Sequence, residues 1–283
     1  MPRHWRWLTP YLFLIPGGLW LLAFFVVPML VMASVSLQEG SLGTGYALTW
    51  NFGVYPEMIQ QWAPQFARSL WYALVVTVVT LAIGYPMAYT IAFRGGRFKS
   101  ILLLLVILPF FTAYIIRTLS WKLILADNGF LFGTLKDGGI LDEGFRIIAT
   151  PLAVISGLTY NFLPFMVLPL YVALEKIDPK LVEAATDLYA SRVQAFLRVT
   201  LPLSMPGVFA GSLLTFIPSI GDFINSEILG SRATTMIGQI IQRLFLNNNA
   251  YPEASALGFM LMAAVLGLVF VYARVVGADA LTR

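Results

Sequence analysis

The sequence predicts an all-α, polytopic membrane protein with six transmembrane helices, and two observations lead to this fold class. First, 59% of the 283 residues are apolar and only 11% are charged, whereas a soluble domain carries about 25% charged residues. Second, six apolar runs are long enough, at about 20 residues, for a helix to cross a bilayer. These runs are residues 11–36, 68–93, 99–124, 148–173, 205–228 and 254–273. We therefore expect one transmembrane domain over residues 1–283.

The first run follows Arg3 and Arg6, so a secretory signal peptide is the alternative to a transmembrane helix. The run is longer than the roughly 7–15 residues of a signal's apolar region, and five more runs follow it. We predict a retained helix. Prolines such as Pro109 and Pro164 fall inside later runs, which is tolerated in membrane bundles because neighbouring groups satisfy the freed backbone.

Lysines and arginines near the ends of the runs predict the orientation, because cytoplasmic segments are enriched in them. Placing the N-terminus inside puts eleven of these residues in the cytoplasm and seven outside. The tight turn from Arg94 to Arg97, followed by Lys99, is the strongest local signal. We expect both termini in the cytoplasm of a bacterial inner-membrane protein, with segments 37–67, 125–147 and 229–253 facing outward.

Several function classes are poorly supported by the composition. The sequence has no cysteine and its one histidine is His4, so thiolate metal sites and His-based acid–base chemistry inside the membrane are excluded. A membrane enzyme would lack its nucleophile–base pair or metal cluster. A secondary transporter or channel would need ion-coupling residues within the spans and usually an internal repeat. The net charge of +4 without long basic runs indicates no nucleic-acid partner.

Residues 175–205 form the one long cytoplasmic connection, and their pattern predicts a helix–turn–helix. Asp178 is a suitable N-cap and Pro179 suits the first helical position. Apolar residues then recur at the spacing of one helical face, namely Leu181, Ala184, Ala185 and Leu188. A second short helix can begin at Ser191 and end before Pro202. The pattern alone leaves open whether this loop anchors the bundle on the membrane surface or docks a cytoplasmic partner.

The segment Glu183-Ala184-Ala185 to Ser191, followed by Leu201-Pro202 and Pro206-Gly207, resembles the coupling (EAA) loop of ATP-binding-cassette importer permeases. This resemblance implies the type I importer (MetI-like) permease fold, over residues 68–273. It also implies that the loop couples transport to an ATPase subunit. The implied coupling residues are Glu183, Ala184, Ala185, Asp187, Leu188, Tyr189, Ala190 and Ser191. Tyr189 departs from the family's usual glycine, so the turn is either reshaped or presents its ring to the partner.

Further motifs resemble the first permease subunit of spermidine/putrescine importers, and they extend over residues 100–272. They include Pro109-Phe110-Phe111, Ile116-Arg117, the run Leu163 to Tyr171, and Ile237-Gly238. The resemblance implies half of a pore, completed by a second permease subunit. It also implies two copies of an ATP-binding subunit, which hold ATP and Mg²⁺, and a periplasmic binding protein. A different small substrate for the same kind of importer is the alternative. The sequence has no phosphate-binding loop of its own, so this chain is expected to bind no cofactor or metal and to be no enzyme.

Glu183 and Asp187 lie one turn apart and could pair with the ATPase or with Arg192 or Arg198 of the same loop. For the substrate path, ionisable residues at membrane depth are the first candidates, and aromatic faces attract cations. These criteria select Asp222, Glu227, Tyr160 and Trp121. The alternatives are that Asp222 caps a helix end and that the aromatic residues form interfacial belts.

Two further patterns predict packing rather than transport chemistry. Gly207 and Gly211 form a Gly-x-x-x-Gly step, which is typical of closely packed membrane helices. Arg117 and Lys122 near the end of the third run are expected to extend their charged ends to the membrane surface, or to pair with acids of segment 125–147.

Overall fold

The computed structural model describes residues 5–276, with side chains from residue 12 to residue 274. Arg3, His4 and Arg283 lie outside the described residues. The helices are α1 Trp5–Leu21, α2 Val27–Ser36, α3 Val54–Arg94, α4 Lys99–Ile107, α5 Tyr114–Leu125, α6 Phe130–Asp137, α7 Pro151–Glu175, α8 Pro179–Asp187, α9 Arg192–Ala195, α10 Leu201–Gly221, α11 Ile224–Leu229, α12 Ile237–Leu246 and α13 Tyr251–Val276. A short antiparallel hairpin, β1 Gln38–Ser41 and β2 Gly45–Leu48, follows α2.

The predicted spans are present as five long apolar helices and one bent helix pair. The five are Leu12–Ser36, Val54–Arg94, Pro151–Glu175, Arg192–Gly221 and Tyr251–Arg274. The sixth is the pair Gly96–Phe111 and Tyr114–Asp137, whose halves meet at 97°. The all-α prediction with six spans is confirmed when this pair counts as one broken span.

The predicted third helix over residues 99–124 is wrong as a single straight element. A 3₁₀ turn at Leu108–Phe111 ends α4, and the next two residues, Thr112 and Ala113, have extended ψ angles of 139° and 138°. Pro109 supplies no backbone N–H, and the two extended residues then turn the chain before α5 begins at Tyr114. The turn places α5 across the end of α4 rather than along its axis.

Two helices absorb a proline by widening the turn before it. In Leu22–Val26 and in Phe196–Thr200 the helix is π-helical, and the N–H groups of Val27 and Leu201 donate five residues back. Each widened turn ends two residues before a proline, Pro28 or Pro202. A proline ring clashes with the carbonyl four residues earlier, and a π turn shifts that carbonyl and lets the helix continue. Consequently the second helix of the cytoplasmic loop does not end before Pro202, as predicted, but continues to Gly221.

The contacts divide the chain into two units. One consists of the residues up to Ala63 together with Ile241–Ala264. In it, the Ser36 and Tyr55 hydroxyls lie 2.7 Å apart. The Tyr46 hydroxyl of the hairpin donates to the Asn249 carbonyl. The first bond ties the end of α2 to the start of α3, and the second ties the hairpin to the turn before α13. The apolar side chains of the helix Leu12–Ser36 are almost all exposed within the chain, as expected for a helix whose neighbours are lipid or other subunits.

The other unit, Pro64–Ile240 with the residues from Val265 on, has α7 at its centre. Leu158, Met166, Leu170 and Leu174 of α7 are fully buried. They belong to two apolar clusters that also include residues of α3, α10 and α11. An ion pair of 2.8 Å joins Lys99 at the start of α4 to the last residue of α7.

The Gly-x-x-x-Gly prediction is confirmed by the packing of α10 on α7. A β-carbon at Gly207 would lie 2.7 Å from the Pro169 carbonyl oxygen, and one at Gly211 would lie 3.0 Å from the Met166 carbonyl oxygen. These contacts involve backbone atoms of α7, which cannot move aside as a flexible side chain can. The two helices therefore approach each other at a distance that only glycine permits.

We expect Gly211→Leu to lower the midpoint of thermal unfolding of the detergent-purified protein by several degrees. Inserting bulk into a packed core costs about 1–3 kcal/mol, and here α10 must move away from α7. Gly267→Leu is the matched control, since a β-carbon at Gly267 in α13 meets nothing within 4 Å. It should unfold at or slightly above the temperature of the parent, because leucine favours helix over glycine. Equal midpoints for the two variants would show that the α7–α10 approach is not tight.

Candidate functional site: the coupling loop and a buried polar cluster

Helix α8 of the cytoplasmic loop begins as the sequence predicts. The Asp178 carboxylate accepts a hydrogen bond of 3.0 Å from the Lys180 backbone N–H, and Pro179 occupies the first helical position. This cap satisfies one of the N–H groups that a helix start leaves without a partner. Glu183 and Ala184 are exposed, while Ala185 is half-buried. The helix therefore presents the Glu-Ala side of its Glu-Ala-Ala motif to the surroundings.

The turn after α8 keeps the left-handed backbone of a glycine although tyrosine occupies it. Tyr189 has φ +62°. Its N–H donates to the Thr186 carbonyl at 3.0 Å, and the Ala190 N–H donates to the Ala185 carbonyl at 3.1 Å. This bond pair is the Schellman motif, which usually ends in glycine. Of the two expected outcomes, a reshaped turn is thus not observed, and the Tyr189 side chain is 99% exposed.

Helix α9 starts with a reciprocal cap and joins the membrane span without a break. The Ser191 hydroxyl accepts from the Gln194 N–H at 3.3 Å, and the Gln194 side chain accepts from the Ser191 N–H at 2.9 Å. Such a capping box stabilises the first turn. Because the helix then runs from Arg192 to Gly221, α9 and the fifth span form one continuous helix.

One aromatic side chain anchors the loop, while its apolar neighbours stay exposed. The Phe196 ring packs edge-on against Tyr85 and Tyr89 of α3, at centroid distances of 5.6 and 6.2 Å. Leu188 and Val193, in contrast, are 81% and 66% exposed. Together with Tyr189 they form an exposed apolar surface around the turn. Three exposed apolar residues at one turn are typical of an interaction surface.

Glu183 and Asp187 take no ionic partner from the loop itself. Among the residues whose side chains are described, the ion pairs are Lys99 with Glu175 and Arg146 with Asp127. The alternative in which Arg192 or Arg198 neutralises these acids is therefore not observed within the described chain. Both carboxylates are exposed and available to a partner.

A buried polar cluster joins α5, α7 and the start of α11. The Tyr114 hydroxyl donates to the Asp222 carboxylate at 2.5 Å and accepts from the Asn225 amide at 2.6 Å. The Asn161 amide in turn donates to Asn225 Oδ1 and to Thr118 Oγ1, both at 3.2 Å. Buried polar groups need such partners, since each one left unpaired costs about 1–3 kcal/mol. The cluster fixes α5, beyond the break in the third span, against α7.

The two acids predicted for the substrate path have different environments. Asp222 is 9% exposed, and its carboxylate also accepts from the Asn225 backbone N–H at 2.8 Å. It therefore caps the start of α11, which is the alternative role considered for it. Glu227 in the same helix is exposed and accepts from the Gln239 amide of α12. A cation can therefore contact Glu227 without breaking the hydrogen bond by which Asp222 caps α11.

The two aromatic candidates lie against each other. The Trp121 and Tyr160 rings stack with centroids 5.2 Å apart and planes 2° from parallel. The Trp121 indole N–H donates to the Ser156 hydroxyl at 3.2 Å. Gly157 leaves room for this arrangement, since a β-carbon there would lie 3.4 Å from Trp121 and 2.7 Å from the Asn225 side chain. The stack thus borders the polar cluster, and both rings are half-buried.

Sequence reasoning selected Asp222 but did not select its partners. Tyr114, Thr118 and Asn225 make the cluster together with Asn161. The signal available for them was their polarity within apolar segments, a property they share with many residues that only bond to their own helix. Thr77, for example, donates to the Ala73 carbonyl. Polarity alone does not separate these two groups.

Comparison with known families decides the identity of the chain. Residues 81–282 match the family described as binding-protein-dependent transport system inner membrane component. The chain belongs to this family. As a member it is a transport component of the membrane and not an enzyme. This confirms the predictions from the sequence that the chain is a transport subunit and that it is no enzyme.

Two relatives that are similar to this transport component along most of their length are polyamine permeases by name. The spermidine/putrescine transport system permease protein PotB of Haemophilus influenzae is 39% identical over 265 residues, which cover 90% of each chain. The Escherichia coli protein of the same name is 36% identical, covering 90% of this chain and 93% of its own. The sulfate transport system permease protein CysT of Salmonella typhimurium is 25% identical over 89% of this chain and 88% of its own.

A solved structure shows the same fold for this transport component. A chain of a bacterial alginate ABC transporter, crystallised with an alginate-bound periplasmic protein, superposes with a TM-score of 0.71 at 23% identity. The match covers 95% of this chain and 96% of that one. The prediction of an importer permease fold is therefore confirmed. So is the prediction of a multi-pass inner-membrane protein.

Proposed function

We propose that this chain is one of two pore-forming subunits of an ATP-driven importer for spermidine or putrescine. The identity of 36–39% to the two PotB proteins, over 90% of this chain, is the observation that carries the substrate class. The second candidate is the same kind of importer with a different small substrate. It is favoured by the lower but nearly full-length similarity to a sulfate permease.

The proposed complex contains a second permease chain, two ATP-binding subunits that hold ATP and Mg²⁺, and a periplasmic binding protein. The coupling loop supports the ATPase contact, because its apolar turn is exposed and its acids Glu183 and Asp187 take no ion-pair partner among the described residues. The continuous helix from Arg192 to Gly221 supports a mechanical role. When ATP binding moves the ATPase, a rigid α9 carries that displacement into the fifth span.

The proposed orientation places the coupling loop and both termini in the cytoplasm. The excess of lysine and arginine near the corresponding span ends supports it. So does the ion pair between Lys99 and Glu175, since it holds the start of α4 and the end of α7 at the same end of the bundle. The hairpin β1–β2 and α12 then lie at the periplasmic side, where a binding protein delivers its substrate.

For the substrate path we assign Glu227 the direct contact with an ammonium group. It is exposed, and the Gln239 amide donates a hydrogen bond to its carboxylate. Trp121 and Tyr160 stack on each other beside Gly157, and we assign them to the path because aromatic faces attract cations. Asp222 has an indirect role in this proposal: its carboxylate caps α11 and thereby positions Glu227.

Uptake in cells tests this function. The gene is deleted from its native host or expressed in a strain that lacks polyamine import, and uptake of labelled spermidine, putrescine and sulfate is compared. The proposal expects polyamine uptake to be lost on deletion and restored by the gene, with sulfate uptake unchanged. Loss of sulfate uptake with unchanged polyamine uptake would overturn the substrate assignment.

We expect Tyr189→Gly to stabilise the turn after α8 but to weaken binding of the ATPase subunit by about thirtyfold. A non-glycine residue in the left-handed region costs about 1–2 kcal/mol, which glycine removes. A tyrosine ring buried in an interface contributes about 2 kcal/mol or more when it is a principal contact, which glycine forfeits. Binding is measured by titrating purified ATPase onto the permease complex in detergent.

Tyr189→Phe is the matched control, because it keeps the ring and the backbone strain. It should bind the ATPase within about threefold of the parent, since the hydroxyl is not required for apolar burial. If Tyr189→Gly binds the ATPase as tightly as Tyr189→Phe, then the ring makes no contribution to docking.

A further inference from the structure

Two charged side chains are buried within the described part of the chain. Arg117 is 7% exposed and Asp222 is 9% exposed. Removing a charge from water is unfavourable unless an opposite charge compensates it, and the requirement is stricter in a membrane. The sequence-based expectation for Arg117, a charged end at the membrane surface or a pair with acids of segment 125–147, is wrong. Asp127 of that segment pairs with Arg146 instead.

The Arg117 guanidinium lies between two aromatic rings. Its Cζ atom is 5.2 Å from the centroid of Phe110 and 5.4 Å from that of Tyr114. Its Nε and Nη1 atoms are buried and have no hydrogen-bond partner. The ring faces stabilise the positive charge in part, but the two N–H donors remain unsatisfied.

The Nε and Nη1 atoms are enclosed within the described chain, which makes a buried acid of the same chain the natural counter-charge. The only buried acid among the described residues is Asp222. It is bound to Tyr114, whose hydroxyl donates to its carboxylate at 2.5 Å. The Arg117 guanidinium therefore lies over the face of the Tyr114 ring, and the hydroxyl of the same ring is hydrogen-bonded to the Asp222 carboxylate.

We propose that Arg117 is a positioning residue of transport that supplies the counter-charge of Asp222, both through Tyr114 and by direct pairing in a second arrangement. The unused N–H donors of Arg117 are the groups that make the direct pair. Arg117 lies on α5, just beyond the break in the third span, and Asp222 caps α11. In the second arrangement the Arg117 guanidinium replaces the Tyr114 hydroxyl as the donor to the Asp222 carboxylate. This exchange shifts α5 against α11, the helix that carries Glu227. A joint with two discrete arrangements can respond to a displacement of the spans.

The charge relation is tested with Arg117→Met, Arg117→Lys, Asp222→Asn and the double variant Arg117→Met/Asp222→Asn in the assembled transporter. Thermal unfolding and binding-protein-stimulated ATP hydrolysis are measured beside uptake. We expect Arg117→Met to lower the unfolding midpoint by several degrees and to reduce stimulated hydrolysis about tenfold. Arg117→Lys should retain most of both, because the charge is kept. The double variant should unfold at a higher temperature than Arg117→Met, because no buried charge is left unpaired.

The second arrangement is tested with Tyr114→Phe alone and with Arg117→Met. If Arg117 can replace Tyr114 as the hydrogen-bond donor to Asp222, Tyr114→Phe should lower the unfolding midpoint and the stimulated hydrolysis only slightly in the parent. The same change should lower both strongly in the Arg117→Met background. An equal effect in both backgrounds overturns the direct pair, and additive losses in Arg117→Met/Asp222→Asn overturn the counter-charge. The uptake and hydrolysis readouts rest on the proposed function, whereas the unfolding readout does not. Loss of the polyamine assignment alone would leave the unfolding and hydrolysis results unchanged.

Discussion

Replacing Ala184 with tryptophan is expected to abolish ATP-driven uptake while the permease still folds and inserts into the membrane. Ala184 is exposed on α8, where a small side chain lets a partner surface approach closely. An indole ring on that surface forces the two proteins apart, and overpacking of about 1–3 kcal/mol corresponds to an ATPase affinity lower by roughly five- to a hundredfold. Uptake and ATPase co-purification should fall together.

Ala184→Ser is the matched control for this change, since it alters the chemistry of the position but hardly its size. It should transport within about twofold of the parent. The unfolding midpoint of the tryptophan variant in detergent should also match the parent, because the Ala184 side chain is exposed. Normal uptake by the tryptophan variant would show that α8 does not seat against the ATPase on this side.

Replacing Glu227 with glutamine is expected to raise the KM for polyamine uptake by about ten- to a hundredfold. A hydrogen bond to a charged group contributes about 1.5–3 kcal/mol, and glutamine keeps the size of the side chain but not its charge. The hydrogen bond with Gln239 can persist through the new amide, so α11 and α12 should stay in place. Uptake is measured against substrate concentration in cells or vesicles.

Glu57→Gln is the matched control, because Glu57 is an exposed acid in the first turn of α3 and is not part of the proposed path. Its KM should equal that of the parent. A glutamine variant at position 227 with unchanged KM and kcat would remove Glu227 from the path. A lower kcat at constant KM would instead assign it to a step after substrate entry.

The parts of the fold that local sequence signals control were predictable. The start of α8 follows from Asp178-Pro179, because a cap and a proline act on their own turn. Gly207 and Gly211 predicted a close helix contact because only small residues permit one. The left-handed turn at Tyr189 kept the backbone of the family's glycine, which shows that the bonds of the flanking helix outweigh the strain of one side chain.

The parts that depend on distant residues or on backbone direction were not predictable. An apolar run predicts a span but not its direction, so the turn at Thr112 and Ala113 within residues 99–124 was missed. The bond between Tyr114 and Asp222 joins residues 108 positions apart, and no local pattern specifies it. Arg117 was expected at the surface because a charge near a span end usually reaches water. Its burial follows from Phe110 and Tyr114, which the bend brings around it.

Reconstituted transport tests the central claim most directly. The chain is co-purified with its second permease and ATPase, placed in proteoliposomes with binding protein and labelled spermidine, and each component and ATP are omitted in turn. The account predicts uptake that requires every component and disappears with Ala184→Trp. Uptake that continues without the ATPase subunit or without ATP would contradict it, because a pore that transports on its own needs no coupling loop.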